Sequence, residues 1–336
     1  MGNKVTLLTI ADDLGLSTAT VSLALRNSPL VADATKSRVI TRAKDIGYVY
    51  DRRAASLRTQ RSDIVGVIVR DIINPFFAEI LRSIEAELGS NRQTFLLCNH
   101  GDNIELQSEF ISTLMQFGAD GVIMSPSVGT TAEDIHTIEK NGLPVTLVAR
   151  SVEGGGVPAF LGDDALGFEL VTSHLIDNGH RDIVMIGGTR NTSTGLARRE
   201  GFAAAFAKAG LDLPNRQDIE TPYDRRAGFD AVQDIIRQGP LPTAIACCSD
   251  TVAIGVMNAL RQNGIEPGVD IAVTGYDDID EASISAPPLT TVNDGHHRIG
   301  QLAARTLFAK IKGDSVQTGD RLIKPELKIR ASVSTP

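Results

Sequence analysis

The stretch that divides this chain is Tyr48–Asp63, which reads YVYDRRAASLRTQRSD. It is basic and poor in large apolar residues, with arginines at positions 52, 53, 58 and 61 and a single leucine, Leu57. A compact helical pattern precedes it, and a long pattern of alternating strands and helices follows it. A plain flexible linker needs neither this arginine density nor the leucine, so we interpret the stretch as more than a connection.

The length of 336 residues predicts two or three domains. Asp12 and Asp13 interrupt the apolar start of the chain, which excludes a signal-peptide core, and no run reaches the roughly 18 apolar residues of a membrane span. We therefore expect a cytoplasmic protein without a membrane partner. The cysteines at 98, 247 and 248 lie in apolar, strand-like runs and are expected to be buried free thiols.

Charge is distributed unevenly along the chain. Residues 1–62 hold ten Lys and Arg against five Asp, a net of +5, whereas the remainder holds 23 basic and 36 acidic residues, a net of −13. A small basic head on an acidic body suggests that the head alone meets a polyanion. A solvated charged face would produce the same imbalance, so charge by itself leaves both interpretations open.

The basic head contains the sequence TLLTIADDLGLSTATVSLALRN, which begins at Thr6. Thr6 is placed to cap a helix that runs to about Leu14, and Gly15 permits the left-handed backbone of a tight turn. Ser17 is placed to cap a second helix, and a third is expected over about 33–46. Helix, glycine turn and capped helix in this order predict a helix-turn-helix.

From residue 64 onward the apolar period changes to that of an α/β fold. The strand candidates are 64–69, 94–98, 121–124, 144–149, 183–187, 243–248 and 270–275. The intervening helix candidates are 76–89, 104–117, 164–178, 196–210, 225–238 and 251–263. Continuous apolar strands separated by helices predict parallel sheets that are covered on both faces.

The number of these units predicts two Rossmann-like, parallel-sheet subdomains. We expect a helix-turn-helix domain at 1–49, a hinge at 50–62 and an effector-binding and dimerisation domain at 63–336. Within the last, the N-subdomain is expected at about 63–161 plus 293–330 and the C-subdomain at about 162–292. The helix at about 297–312 and the strand-like segment 321–330 would then rejoin the first subdomain.

Polar and aromatic residues follow most of the predicted strands, where ligands of open α/β sheets bind. They are Asp71, Asn74, Phe76, Phe77, Ser125, Ser127, Arg150, Asp163, Arg190, Asn191, Arg198, Tyr223, Ser249, Asp250, Tyr276, Asp277 and Asp278. Rings that stack on apolar faces, together with Asp, Asn and Arg that bond hydroxyls, suit a small polyhydroxylated ligand. Asp163 or Asp250, taken singly, could equally be a helix cap.

Catalytic motifs have little support in the chain. There is no GxxxxGK[ST] phosphate loop, and the neighbouring His296 and His297 lack metal-ligand spacing. Ser249 and Asp250 have no nearby histidine that would indicate a catalytic triad. We expect no enzyme activity, no cofactor and no metal.

Taken together, these residues resemble the lactose/galactose repressor (LacI/GalR) family of bacterial transcription regulators. The motifs that carry the resemblance are TIADDLGLSTATVSLAL, AASLR, INPFFAEI, DGVIMSP, HLIDNGHRDI, RREGF, SDTVAIGVMNAL, TGYDD and PPLTTV. The resemblance spans roughly residues 5–330 and implies a body like the type I periplasmic binding proteins. Periplasmic sugar-binding proteins share that body but carry a signal peptide in place of a helix-turn-helix.

The resemblance implies a homodimer that binds double-stranded operator DNA. In the family, the second helix reads bases in the major groove, here through Thr18, Ala19 and Leu23. Helix N-termini and hydroxyls meet phosphates, here at Thr6, Ser17, Thr20 and Ser22. The hinge, here with Arg52 and Leu57, folds on DNA and inserts a leucine pair into the minor groove. Many members have arginine where this chain has Leu23, so typical operators are not implied.

The resemblance also implies an effector site in the cleft between the two subdomains. The residues that match it, or join it from the strand ends, are Asp71, Asn74, Phe76, Phe77, Ser125, Arg150, Arg198, Tyr223, Ser249, Asp250, Asp277 and Asp294. Two positions depart from the family pattern: Ala149 stands where a carboxylate is usual, and Asp294 where glutamine is common. A sugar or sugar derivative is the expected effector of a repressor. The alternatives are a purine corepressor or a sugar-binding protein without a DNA role.

Overall fold

The computed structural model describes the residue ranges 5–49, 61–91, 93–213 and 218–336. Contacts between Cα atoms divide the chain into two compact units, Met1–Ser62 and Asp63–Pro336. The predicted hinge residues Arg52 and Leu57 lie outside the described ranges. Each unit is described by itself below.

The helices of the first unit are α1 (Leu7–Leu14), α2 (Thr18–Leu25) and α3 (Asp33–Asp45), and side-chain caps begin the first two. The Thr6 hydroxyl accepts from the backbone N–H of Thr9, whose own hydroxyl accepts from the N–H of Thr6. Gly15 ends α1 with a φ of 65°, and the Ser17 hydroxyl caps α2 by accepting from Thr20 N–H. The predicted helix-turn-helix and its caps are confirmed.

A small core joins the three helices of the first unit. Ile10, Val21 and Val39 are fully buried there, one from each helix. No single helix in the described ranges is long and apolar enough to cross a membrane, although the bent pair α1 and α2 would pass by length and composition alone.

The second unit is built from strands that alternate with helices. Its strands are β1 (Ile64–Val69), β2 (Thr94–Asn99), β3 (Gly121–Met124), β4 (Val145–Val148), β5 (Pro158–Gly162), β6 (Ile183–Ile186), β7 (Asp218–Ile219), β8 (Ala244–Cys247), β9 (Ala272–Thr274), β10 (Thr291–Asn293), β11 (Gly319–Ile323) and β12 (Glu326–Lys328). Its helices are α4 (Pro75–Ser90), α5 (Ile104–Gln116), α6 (Ala132–Lys140), α7 (Asp164–Asp177), α8 (Ser193–Lys208), α9 (Arg225–Gln238), α10 (Asp250–Gln262), α11 (Asp280–Ile284) and α12 (His296–Lys312).

Two parallel sheets form from these strands, as predicted. The first has the order β11-β5-β4-β3-β1-β2 and the second the order β7-β6-β8-β9. Every residue of β3, β4, β5, β6 and β8 is buried, which accounts for their continuous apolar runs. The α/β fold class is confirmed.

The segment predicted as one strand at 321–330 is divided in the structure. β11 joins the first sheet beside β5, whereas β12 pairs antiparallel with β10 in a separate two-stranded sheet. Pro325 lies between them, where it cannot donate to a ladder. The chain then turns to the second sheet, since Ser332 bonds the backbone of Val273 and the carbonyl of Ser334 meets His180.

Candidate effector site and DNA-contact residues

A small cavity of about 40 Å³ lies where the carboxyl ends of both sheets meet. It is lined by Arg70, Asn74, Phe76, Phe77, Ala149, Arg150, Gly162, Asp164, Thr194, Arg198, Tyr223, Asp277 and Asp294. Most of these residues lie just after a strand or near the start of a helix, whereas Gly162 ends β5 and Arg198 lies within α8. Three arginines and three aspartates are among the lining residues, beside the apolar rings of Phe76 and Phe77.

Arg198 is the buried cation of the second-sheet wall, with 5% of its surface exposed. Its Nε lies 2.8 Å from Asp164 Oδ1, and its Nη1 donates to the carbonyl of Cys248. Its guanidinium also lies 4.1 Å from the ring centroid of Tyr276. Burial opposes the charge, but Asp164, together with the smaller effects of Tyr223, Asp277 and Tyr276, holds the pKa of Arg198 well above its usual value.

Asp277 faces the same guanidinium more loosely. Its carboxylate lies 3.9 Å from Arg198 Nη2, and within the described ranges it accepts no hydrogen bond. Burial raises the pKa of Asp277 well above its usual value, with Arg198 acting in the opposite direction. Its φ of 111° is rare for a side chain other than glycine, and its N–H donates to Val292 O. A buried carboxylate held in this way is available to a donor in the cavity.

Asp294 forms the third acidic group of the lining and pairs with a histidine. Its Oδ1 accepts from the backbone N–H of His296 at 3.1 Å and lies 3.1 Å from His296 Nδ1. Burial would lower the pKa of His296, but the hydrogen bond and charge of Asp294 raise it above its usual value. The ring of His296 packs edge-on against Phe76, which links this pair to the aromatic part of the lining.

The first-sheet wall carries two arginines around one carboxylate. Arg150 donates to Asp102 through Nη1 at 2.5 Å and Nη2 at 3.3 Å, and Arg70 donates through Nε at 3.0 Å. His100 holds Asp102 in place, because its Nδ1 accepts from the Asp102 N–H at 2.9 Å. The guanidinium of Arg70 also lies 5.5 Å from the ring centroid of Tyr223 on the opposite wall.

Eight of the twelve predicted effector residues line the cavity, and four do not. Asp71 accepts from Ile73 N–H in a loop, and Ser249 caps α10. Ser125 is fully buried beside β3, with no hydrogen-bond partner for its hydroxyl in the described ranges. Asp250 is fully buried and accepts from Ile279 N–H and the Thr291 hydroxyl. Asp71, Ser249 and Asp250 therefore bond the protein backbone or a neighbouring side chain instead of facing the cavity.

Sequence reasoning missed Arg70, Asp164 and Thr194 in the lining, and Asp102 behind it. Arg70 follows β1 directly, so the strand-end rule could have found it. Asp102 lies just after β2 and could have been found in the same way. Asp163 accepts from Leu166 N–H as the cap of α7, so its neighbour Asp164 is the residue that turns towards Arg198.

The predicted DNA-contact residues differ in exposure within the first unit. Thr18 and Ala19 are exposed at the start of α2, and Thr20 is half-buried. Leu23 is also half-buried and packs against the helical core, whereas Ser22 is buried. Thr6 and Ser17 are exposed caps at the N-termini of α1 and α2. The N-terminal turn of α2 therefore offers the accessible polar surface that base reading requires.

Comparison with known families assigns both units. Residues 6–51 match the bacterial regulatory proteins of the lacI family, and residues 62–331 match the periplasmic binding proteins and sugar binding domain of the LacI family. The chain belongs to the LacI family. As a member, it is a DNA-binding transcriptional regulator with an effector-binding domain.

Relatives within the LacI family differ in the effector that their names suggest. The HTH-type transcriptional repressor PurR of Glaesserella parasuis serovar 5 is 30% identical over 334 residues, which cover 98% of each protein. The ribose operon repressor of Haemophilus influenzae is 29% identical over 318 residues, which cover 95% of each. These relatives are repressors and not enzymes.

Solved structures of the LacI family share the fold. The lac repressor dimer bound to operator and an anti-inducer superimposes with a TM-score of 0.87 at 22% identity, covering 99% of this chain and 100% of that one. The regulator CelR in complex with cellobiose gives a TM-score of 0.73 at 26% identity, covering 98% of this chain and 99% of that one.

Proposed function

We propose that this LacI-family protein is a repressor whose affinity for operator DNA is set by a sugar or sugar derivative bound in the cleft. In this proposal residues 1–49 bind DNA, 50–62 form the hinge, and 63–336 bind the effector and dimerise. The N-subdomain comprises about 63–161 plus 293–330, and the C-subdomain about 162–292. The names of relatives support both sugar and purine effectors, so we choose between these two classes from the chemistry of the cavity lining.

The observation that carries the sugar proposal is the alternation of arginine forks and carboxylates around one cavity. Sugar hydroxyls both donate and accept, so each can lie between a guanidinium such as Arg198 and a carboxylate such as Asp277 or Asp294. Phe76 and Tyr223 supply ring faces for the apolar side of the sugar. A purine would use the rings but has fewer hydroxyl-type donors for three carboxylates.

Cleft opening is part of the proposed mechanism. A cavity of about 40 Å³ holds no more than a few water molecules, whereas ligand sites typically measure on the order of 300 Å³ or more. The effector therefore binds a wider cleft and shifts the population between closure states. Arg70 on the first wall and Tyr223 on the second are in contact across the cleft, so their separation changes with closure.

Dimerisation connects this closure to DNA binding in the proposal. One helix-turn-helix reads a half-site, so two protomers are needed for an operator of two half-sites. Closure changes the spacing of the two hinge stretches and hence their ability to insert Leu57 side chains into the minor groove. The mass of the protein on operator DNA tests this step: two protomers on each operator are expected, and a monomer there would contradict it.

The effector assignment is tested by binding and by DNA titration on the full chain. A thermal-shift screen of sugars and purines should yield a sugar hit, because a ligand at 100 times its Kd adds about 2.7 kcal/mol of stability. Asp277→Asn preserves tolerance of the positive φ and should remove the response to that ligand while leaving operator affinity unchanged. Asp314→Asn, an exposed position outside the lining, is the matched control. A normal response in Asp277→Asn would place the effector elsewhere.

A further inference from the structure

Arg150 and Arg70, the two arginines of the first-sheet wall, differ in how many of their donors form hydrogen bonds. Both oxygens of Asp102 accept from Arg150, one of them also accepts from Arg70, and the other also accepts weakly from Val128 N–H. Arg150 further donates to the carbonyl of Pro126 at 3.1 Å. The acceptor capacity of Asp102 is therefore used up, while the wall holds two positive charges and one negative charge.

Arg70 has unused donors that border the cavity. Its Nε is bonded to Asp102, but its two terminal amino groups donate no hydrogen bond within the described ranges. Asp102 and the ring of Tyr223 hold the guanidinium in position from two sides. A planar fork with two free amino groups is the geometry that binds a carboxylate or phosphate through two parallel hydrogen bonds.

The opposite wall supplies the ring of Tyr223 but, among the described residues, no carboxylate bonded to Arg70. Arg198 faces Asp164 and Asp277, so that wall already carries an excess of carboxylates, and Asp294 is paired with His296. The lining thus contains both the unused donors of Arg70 and the carboxylates of Asp277 and Asp294. Hydroxyl groups can donate to these carboxylates, whereas an anionic group is stabilised by the free donors of Arg70.

We propose that the effector is an acidic sugar derivative, whose anionic group binds the two terminal amino groups of Arg70. Its hydroxyls then donate to Asp277 and Asp294 in the lining of the same cavity. This inference rests on the proposed sugar-controlled function and narrows its ligand class. A simple sugar carries no charge, so it would leave the two arginines of this wall with the single carboxylate of Asp102 between them in the closed cleft.

The experiment compares acidic and neutral sugars of the same skeleton on the full chain. The probes are D-gluconate, D-glucuronate, D-galacturonate and glucose 6-phosphate, each beside D-glucose or D-galactose, measured by thermal shift and then by calorimetry at two salt concentrations. We expect at least one acid to bind more tightly than its neutral partner, with an affinity that falls as salt rises. The carboxylate and phosphate probes distinguish the two kinds of anion.

Substitutions of Arg70 test whether its terminal amino groups cause the tighter binding of the acidic sugar. Arg70→Gln should weaken binding of the preferred acid about 10- to 100-fold while changing the affinity for its neutral partner by less than about threefold. Arg70→Lys keeps the charge without the fork and should give an intermediate loss, which also serves if the Gln variant folds poorly. Arg82→Gln removes an exposed charge on α4 and should leave binding unchanged.

Four results would overturn the inference, and they differ in whether the sugar-controlled repressor survives. Equal or tighter binding of the neutral sugar, or an acid affinity that is unchanged in Arg70→Gln, would reject the acidic effector and preserve the sugar-controlled repressor. A purine hit with no sugar hit would reject both proposals. Failure of every acid to bind would reject the acidic class.

Discussion

Removal of the buried guanidinium of Arg198 should strongly destabilise the second unit. Arg198→Met leaves Asp164 and Asp277, which are 7% and 3% exposed, without the cation that faces them. Breaking a buried, hydrogen-bonded ion pair on one side costs about 3–5 kcal/mol, because the remaining charge stays buried without its partner. The lost donor to Cys248 O and the lost contact with the Tyr276 ring act in the same direction.

A double-mutant cycle separates the ion pair from the packing of the side chain. If the cost of Arg198→Met arises from the unpaired carboxylate, then Asp164→Asn in the same chain should recover about 2 kcal/mol of it. The measurement is urea denaturation of the full chain at pH 7.5, followed by circular dichroism. Arg237→Met is the control, since its ion pair with Asp234 is exposed and should be worth less than about 1 kcal/mol.

The outcome that refutes this reasoning is a small or additive effect. A cost below about 1 kcal/mol for Arg198→Met would mean that water reaches Asp164 and screens it. Additive costs in the double variant would mean that packing, and not charge, accounts for the loss.

Three further substitutions test other parts of the chain. Burial raises the pKa of Asp250 to about 7, so wild-type stability falls as pH rises from about 4 to 7. The free energy of unfolding of Asp250→Asn minus that of wild type should therefore rise by about 3 kcal/mol between pH 5 and 8 in denaturation experiments, and a constant difference would contradict this. A Cβ at Gly201 would lie 2.1 Å from Ala165 O, where α7 meets α8, so Gly201→Ala should lower the free energy of unfolding by about 1–3 kcal/mol. Gly89→Ala is the control, because a Cβ there meets open space and should be neutral or stabilising. Equal effects of the two substitutions would exclude the steric cause. Thr6→Ala should destabilise the first unit by about 1 kcal/mol, because it removes the cap of α1, whereas Thr6→Ser retains that cap. Hydrogen exchange of the α1 amides measures the difference, and equal exchange rates in the two variants would rule out the cap.

Local signals account for the part of the fold that was predicted well. The hydroxyl caps at Thr6 and Ser17 and the glycine at 15 mark helix ends through bonds within four residues of sequence, so they can be identified without the fold. The strand at 64–69 was predicted at the observed boundaries because a fully buried parallel strand is apolar throughout. Such features depend on neighbours along the chain.

The predicted site shows where local reasoning stops. Asp250 and Asp277 both follow strands and carry the same carboxylate, yet only Asp277 lines the cavity. The carboxylate of Asp250 instead accepts hydrogen bonds from the N–H of Ile279 and the hydroxyl of Thr291, which lie 29 and 41 residues further along the chain. No pattern around Asp250 indicates those partners, so the two carboxylates could not be distinguished in the sequence.

The amino-acid sequence alone therefore determined the helix-turn-helix, the parallel sheets and the set of strand-end residues that could form the site. Tertiary packing selected among those residues: it brought Arg70, Asp164 and Thr194 to the cavity and bonded Asp250 to Ile279 and Thr291 instead. The physical reason is the separation along the chain over which each kind of interaction acts. Capping and periodicity act over a few residues, whereas the meeting of Arg70 with Tyr223 depends on how two separately built sheets face each other.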